Sequence, residues 1–168
     1  RVMKLSNQHI ILALLAVVAI VLLRNKLKVA AAAIVPTAGI GTNDVSYLGQ
    51  SNLPRGIRNN NPGNLKTTNP RQGWAGAVSN PDDPPFEQFE YYVYGLRAML
   101  KLLRNNINRG FDTPQKLINR WAPPSDNNPT STYASAVASA LGATTDSRIS
   151  ANKRTIKILA ESIEEFEN

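Results

Sequence analysis

Apolar positions follow two patterns along the 168 residues. From Ile10 to Leu23 (IILALLAVVAIVLL) they are unbroken, 14 in a row without Gly or Pro. Beyond residue 90 they recur at intervals of three and four. As a helix, the unbroken run spans about 21 Å at ~1.5 Å per residue. The hydrocarbon core of a bilayer is about 30 Å thick. Asn7, Gln8 and His9 extend the run on one side, and Arg24, Lys26 and Lys28 on the other. Long basic side chains reach back to the interface and lengthen the usable span. Val29 to Val35 (VAAAAIV) continues the apolar character. The run has no amphipathic periodicity, which argues against a buried core helix. A cleaved signal peptide would carry a small-residue processing site where Arg24-Asn25-Lys26-Leu27-Lys28 stands. Residues 1–35 are therefore expected to form a single-pass transmembrane anchor. Residues 36–54, small, polar and Gly-containing, read as a linker.

The periodic part predicts a globular domain over 55–168, about 114 residues, enough for one core. Tyr92 to Asn108 places Leu96, Met99, Leu100, Leu103 and Ile107 on one helical face, with Gly110 as its stop. Thr113-Pro114 is an N-cap followed by proline at the first helical position. The helix that follows carries Leu117, Ile118 and Trp121 and ends at Pro123-Pro124. Thr130 or Ser131 begins the next, with Tyr133, Val137 and Leu141 inward and Gly142 closing it. Ser150 is expected to cap the last, whose stripe is Ile156, Leu159, Ile163 and Phe166. Arg55 to Pro85 is dense in Asn, Gly and Pro, which predicts turns or a short β-hairpin. The expected fold is mainly α, of α+β type, behind an N-terminal transmembrane helix.

Composition narrows the chemistry. There is no cysteine, hence no disulfide, thiol nucleophile or Cys-ligated metal. His9 is the only histidine, so a His-based triad in the domain and a multi-His metal site are excluded. Catalysis would rest on carboxylates, hydroxyls, amides, Lys or Tyr, and no cofactor is expected. The net charge is +7. A basic surplus suits an anionic polymer or a phospholipid surface. No run of five basic residues and no nucleic-acid motif occurs, so nucleic acid is not an expected partner.

Candidate chemistry concentrates in two segments. Arg55 to Leu65 (RGIRNNNPGNL) holds four Asn amides and two guanidiniums. These groups make directional hydrogen bonds to sugar hydroxyls, acetamido groups and carboxylates. Arg58, Asn59, Asn61 and Asn64 are the candidate sugar ligands, with Trp74 offering a flat face to a ring. The alternative is that the Asn residues adopt left-handed conformations and brace a tight loop themselves. Asp82, Asp83, Glu87 and Glu90 cluster within nine residues around Phe86 and Phe89. Glycoside cleavage needs a protonated carboxyl beside the leaving oxygen, usually with a second carboxylate or a positioned water opposite. Glu87, between two phenylalanines, is the first candidate for that acid and Asp83 the second. The alternative is a solvated turn and acids favoured near a helix N-terminus.

The strings RGIRNNNPGNL, WAG (Trp74 to Gly76), FEQF (Phe86 to Phe89), GLRAM (Gly95 to Met99) and RWAPPSDNNPTSTY (Arg120 to Tyr133) resemble phage and prophage virion-associated proteins. These look like lysozyme-superfamily peptidoglycan hydrolases of transglycosylase or glucosaminidase type. The resemblance covers roughly Arg55 to Gly142, about half the chain. It implies a lysozyme-like domain acting on peptidoglycan glycan strands during phage entry or exit. With the anchor, the chain also resembles minor membrane proteins of phages that carry an internal lipid layer. The lipid membrane and other virion proteins are then implied partners, and the virion or host cell membrane the implied location. One departure stands out. The superfamily's general acid is a Glu on a helix before the hairpin, whereas the region before Arg55 has no Glu and only Asp44 as an acid. That departure suits a second reading, a non-catalytic structural protein tethering capsid or vertex to the viral membrane.

Overall fold

The structure, a computed structural model, describes residues 45–168, which fall in one compact unit. The expected transmembrane helix lies outside the described residues. Among those described, no helix is long and apolar enough to cross a membrane. The elements are α1 (Arg55–Arg58), α2 (Tyr92–Asn108), α3 (Pro114–Trp121), a 3-10 turn (Pro124–Asp126), α4 (Thr130–Leu141) and α5 (Lys153–Glu167). The architecture is mainly helical. No strand forms among the described residues, where only two antiparallel bridges, Lys66 with Phe86 and Ala77 with Phe89, mark the expected β lobe. Segment 85–90 lies between two partners. Glu87 N donates to Leu65 O on one side, and Val78 N donates to Gln88 O on the other, both at 2.8 Å. Pro84, Pro85 and the turn at Gly76 interrupt this pairing before a ladder can extend.

The helices begin and end where local chemistry directs them. Thr113 Oγ1 accepts from Lys116 N at 3.2 Å, with Pro114 in the first turn of α3. Gly142, at φ 66°, closes α4 in the left-handed conformation. The cap of α5 is Asn152, whose Oδ1 accepts from Thr155 N at 2.9 Å. This corrects the expectation of Ser150. An Asn two residues later competes for the same role and reaches the third amide of the helix. α4 starts without a cap of its own; Thr130 Oγ1 instead donates to Ala122 O at 2.7 Å, tying it to the end of α3.

Leu103, Leu117, Ile118, Val137, Leu159 and Ile163 are fully buried where α3 packs on α4, and α5 on α4 and α2. Phe89 joins them from the irregular lobe. Three stripe positions, Phe166, Leu96 and Leu100, depart from expectation. Phe166 is 38% exposed and stacks on Tyr133, with ring centroids 3.8 Å apart. Leu96 and Leu100 are only half buried. Gly95 sits where α2 crosses the Asn loop, and a Cβ built there would lie 1.8 Å from Asn60 O.

The stretch expected as linker is described from Val45 onward, and there it is joined to the domain. Tyr92 N donates to Val45 O at 2.8 Å and Tyr47 N to Asn60 Oδ1 at 2.8 Å. Tyr47 meets Tyr92 edge-on at 5.6 Å. Val45 thus supplies the acceptor that α2 lacks at its uncapped start.

Candidate functional site

The Asn loop follows α1, and its side chains point inward. Asn59, Asn60 and Asn61 are at most 1% exposed. Asn59 Nδ2 donates to Asp83 Oδ2 at 3.0 Å, and its Oδ1 accepts from Gln88 Nε2 at 3.0 Å. Asn60 Nδ2 lies 2.8 Å from both Ser46 Oγ and Phe89 O. Asn61 bridges the loop to segment 85–90: its Nδ2 donates to Leu65 O and Glu87 O at 3.0 and 2.9 Å, and its Oδ1 accepts from Leu65 N at 2.9 Å. Asn64 Nδ2 donates to Glu167 Oε2 at 3.0 Å, while its buried Oδ1 has no partner. Asn60 and Asn64 adopt φ of 52° and 47°. A short side chain that can hydrogen-bond locally is what lets a residue other than glycine occupy that region. The bracing alternative is therefore the geometry found.

The carboxylates do not converge on one site. Asp83 sits with Arg55 and Arg58, each 3.3 Å from its Oδ2. The hydrogen bond from Asn59, with the two guanidiniums beside it, holds the Asp83 carboxyl below its ordinary range. Glu87 is 1% exposed, and Arg71 covers it through Nε, 3.1 Å from Oε2, and through Nη2. Arg71 is held in turn by Ser79 O at 2.7 Å. Asp82 and Glu90 are exposed. Among the described residues, no group of three or more His, Asp or Glu side chains is arranged to hold a metal.

Trp74 is half buried, with Lys101 Nζ 5.8 Å from its ring centroid. It borders a hollow of about 160 Å³ with Gly73, Tyr94 and Arg97, and no residue of the Asn loop lines it. Ligand pockets usually exceed about 300 Å³. The expected sugar cradle of Arg58, Asn59, Asn61, Asn64 and Trp74 is thus not assembled as an open groove. The amide groups that would face a saccharide face the protein's own backbone and carboxylates.

A different feature is open, between α2 and α5. A groove of about 760 Å³ has an apolar floor including Val93, Leu96, Leu100 and Ile156. Arg97, Lys101, Arg104, Lys153 and Lys157 stand around it. The sequence carries its signal: Arg97, Lys101 and Arg104 share one helical face by their spacing, beside two leucines of the expected core stripe.

No protein-family model matches the chain. Over 116 residues it is 33% identical to "Protein P5" of Pseudoalteromonas phage PM2, an alignment covering 68% of this chain and 71% of that protein.

Proposed function

The chain belongs to the family of protein P5 of Pseudoalteromonas phage PM2, and we propose that it is a membrane-anchored structural protein of a phage particle. In this reading residues 1–35 anchor it in the virion or host membrane and 36–54 lead to the globule. Residues 55–168 form a non-catalytic module that contacts other virion proteins. The observation that carries the reading is the inward orientation of Asn59, Asn60 and Asn61, whose hydrogen-bonding capacity is taken up within the fold. Glu87 adds to it, since a general acid must reach a glycosidic oxygen and this carboxyl lies under Arg71. The lysozyme-like motif Arg55 to Leu65 then serves as a brace, and peptidoglycan cleavage is the reading set aside.

The experiment uses the full chain in detergent and in vesicles. The expected result is no clearing of peptidoglycan in a zymogram beside a lysozyme control, together with flotation on vesicles that survives high salt. Deletion of residues 1–35 releases the chain from neutral vesicles. Wall clearing that Glu87→Gln or Asp83→Asn abolishes would overturn the reading and restore the muralytic one.

A further inference from the structure

We propose that the α2–α5 groove docks the globule onto an anionic lipid bilayer. Val93, Leu96 and Leu100 would meet the acyl boundary, and the surrounding cations would meet the phosphates. The inference builds on the anchor reading above but concerns a separate surface.

The floor is apolar and open. Val93 is 37% exposed and Leu96 and Leu100 are half buried, on a helix whose Ala98, Met99, Leu103 and Ile107 turn to the core. Five cations stand around it against two carboxylates, Glu161 and Glu164. Glu161 pairs with Lys157 at 3.1 Å, and Glu164 accepts from the Tyr92 hydroxyl. Arg97, Arg104 and Lys153 are exposed and make no ion pair among the described residues. An anionic occupant complements this surplus. A second copy of a chain of net charge +7 matches it poorly.

Trp74 directs the choice to lipid. Its half-buried indole and Tyr94 line the adjoining hollow, which shares Arg97 and Lys101 with the groove. Amphipathic rings beside cations and aliphatic side chains match the headgroup boundary of a bilayer. Polybasic surfaces next to a membrane bind anionic headgroups. From residue 36 to 44, nine residues, the chain reaches at most about 30 Å. An anchored chain would therefore present the globule to its bilayer at a raised effective concentration.

The chain contains no cysteine, so a single probe can be placed on the full-length protein. Val93→Cys puts a fluorophore at the groove, and Ser135→Cys puts one on the exposed face of α4. Each protein is mixed with phosphatidylcholine vesicles, with or without phosphatidylglycerol, containing nitroxide-labelled lipid. The expected result is quenching at position 93 roughly threefold above that at 135, in anionic vesicles only. It is abolished by Arg104→Glu with Lys153→Glu, or by high salt, as headgroup attraction requires. Equal quenching at both positions in anionic vesicles would overturn the proposal. So would a response of the Val93 probe to a soluble acidic amphipathic peptide while vesicles leave it unmoved, which would identify a protein helix as the occupant. Flotation separates the two readings. A chain that floats on neutral vesicles without position-specific quenching in anionic ones keeps its anchor and loses the groove. A chain that floats only on anionic vesicles, with quenching, keeps the groove and loses the anchor.

Discussion

At Glu87 a carboxylate that is 1% exposed is matched by a single guanidinium, that of Arg71, which is itself partly open to solvent. Removing one member of such a pair costs more than removing both, because the remaining charge stays buried. Arg71→Ala is expected to destabilise the fold by about 3 kcal/mol in urea unfolding, and Arg71→Ala with Glu87→Gln to recover more than half of that. A catalytic Glu87 would show the opposite priority, with activity lost in Glu87→Gln and stability little changed. Glu167 is a half-buried acid. Burial holds its carboxyl above the ordinary carboxylate range, opposed by donation from Asn64 and Tyr133. A raised acid contributes stability below its unfolded-state pKa and loses it as pH rises through the folded value. Glu167→Gln should therefore raise the thermal midpoint at about pH 7, with the gain closing by about pH 4. A constant difference between the two pH values would contradict this assignment.

Helix α2 depends on a residue with no side chain. Gly→Ala inside a helix ordinarily stabilises by about 1 kcal/mol. At Gly95 the sign reverses, because the added methyl would meet the Asn60 carbonyl. Gly95→Ala is expected to cost about 3 kcal/mol in denaturant unfolding; a neutral or stabilising result would show that the helix can lift off the loop. At α5 the cap decides. Asn152→Ala should cost about 1 kcal/mol, while Ser150→Ala should be silent within about 0.5 kcal/mol. Equal effects would mean that both residues hold the helix start.

For the whole molecule, the helices were legible because their signals are local. Threonine before proline, apolar residues at helical spacing and a terminal glycine marked α2, α3 and α4 to within a residue. The irregular lobe was legible as turns with some antiparallel pairing, but not in its opening one-turn helix α1 at Arg55–Arg58, nor in its pairing partners, which are set by contacts between distant residues such as Leu65 and Glu87. The candidate site was legible only as chemistry. A run of asparagines announces directional hydrogen bonds but not whether they point outward or inward, and that was decided by segment 85–90 and Ser46 closing over the loop. Arg71 was missed because nothing local connects it to an acid 16 residues away. The basic groove is hidden from a net charge, which does not show that Arg97, Lys101 and Arg104 share one helical face.

Asn59, Asn60 and Asn61 form an internal brace closed to solvent. Hydrogen exchange of side-chain amides, followed by NMR on the full chain in detergent micelles, tests it most directly. Asn60 and Asn61 Nδ2 protons should exchange at least about 100-fold more slowly than an exposed amide such as that of Asn119, as buried and fully bonded groups do, and muropeptide should leave their resonances unmoved. Free exchange at Asn61 together with a shift on adding muropeptide would contradict the account.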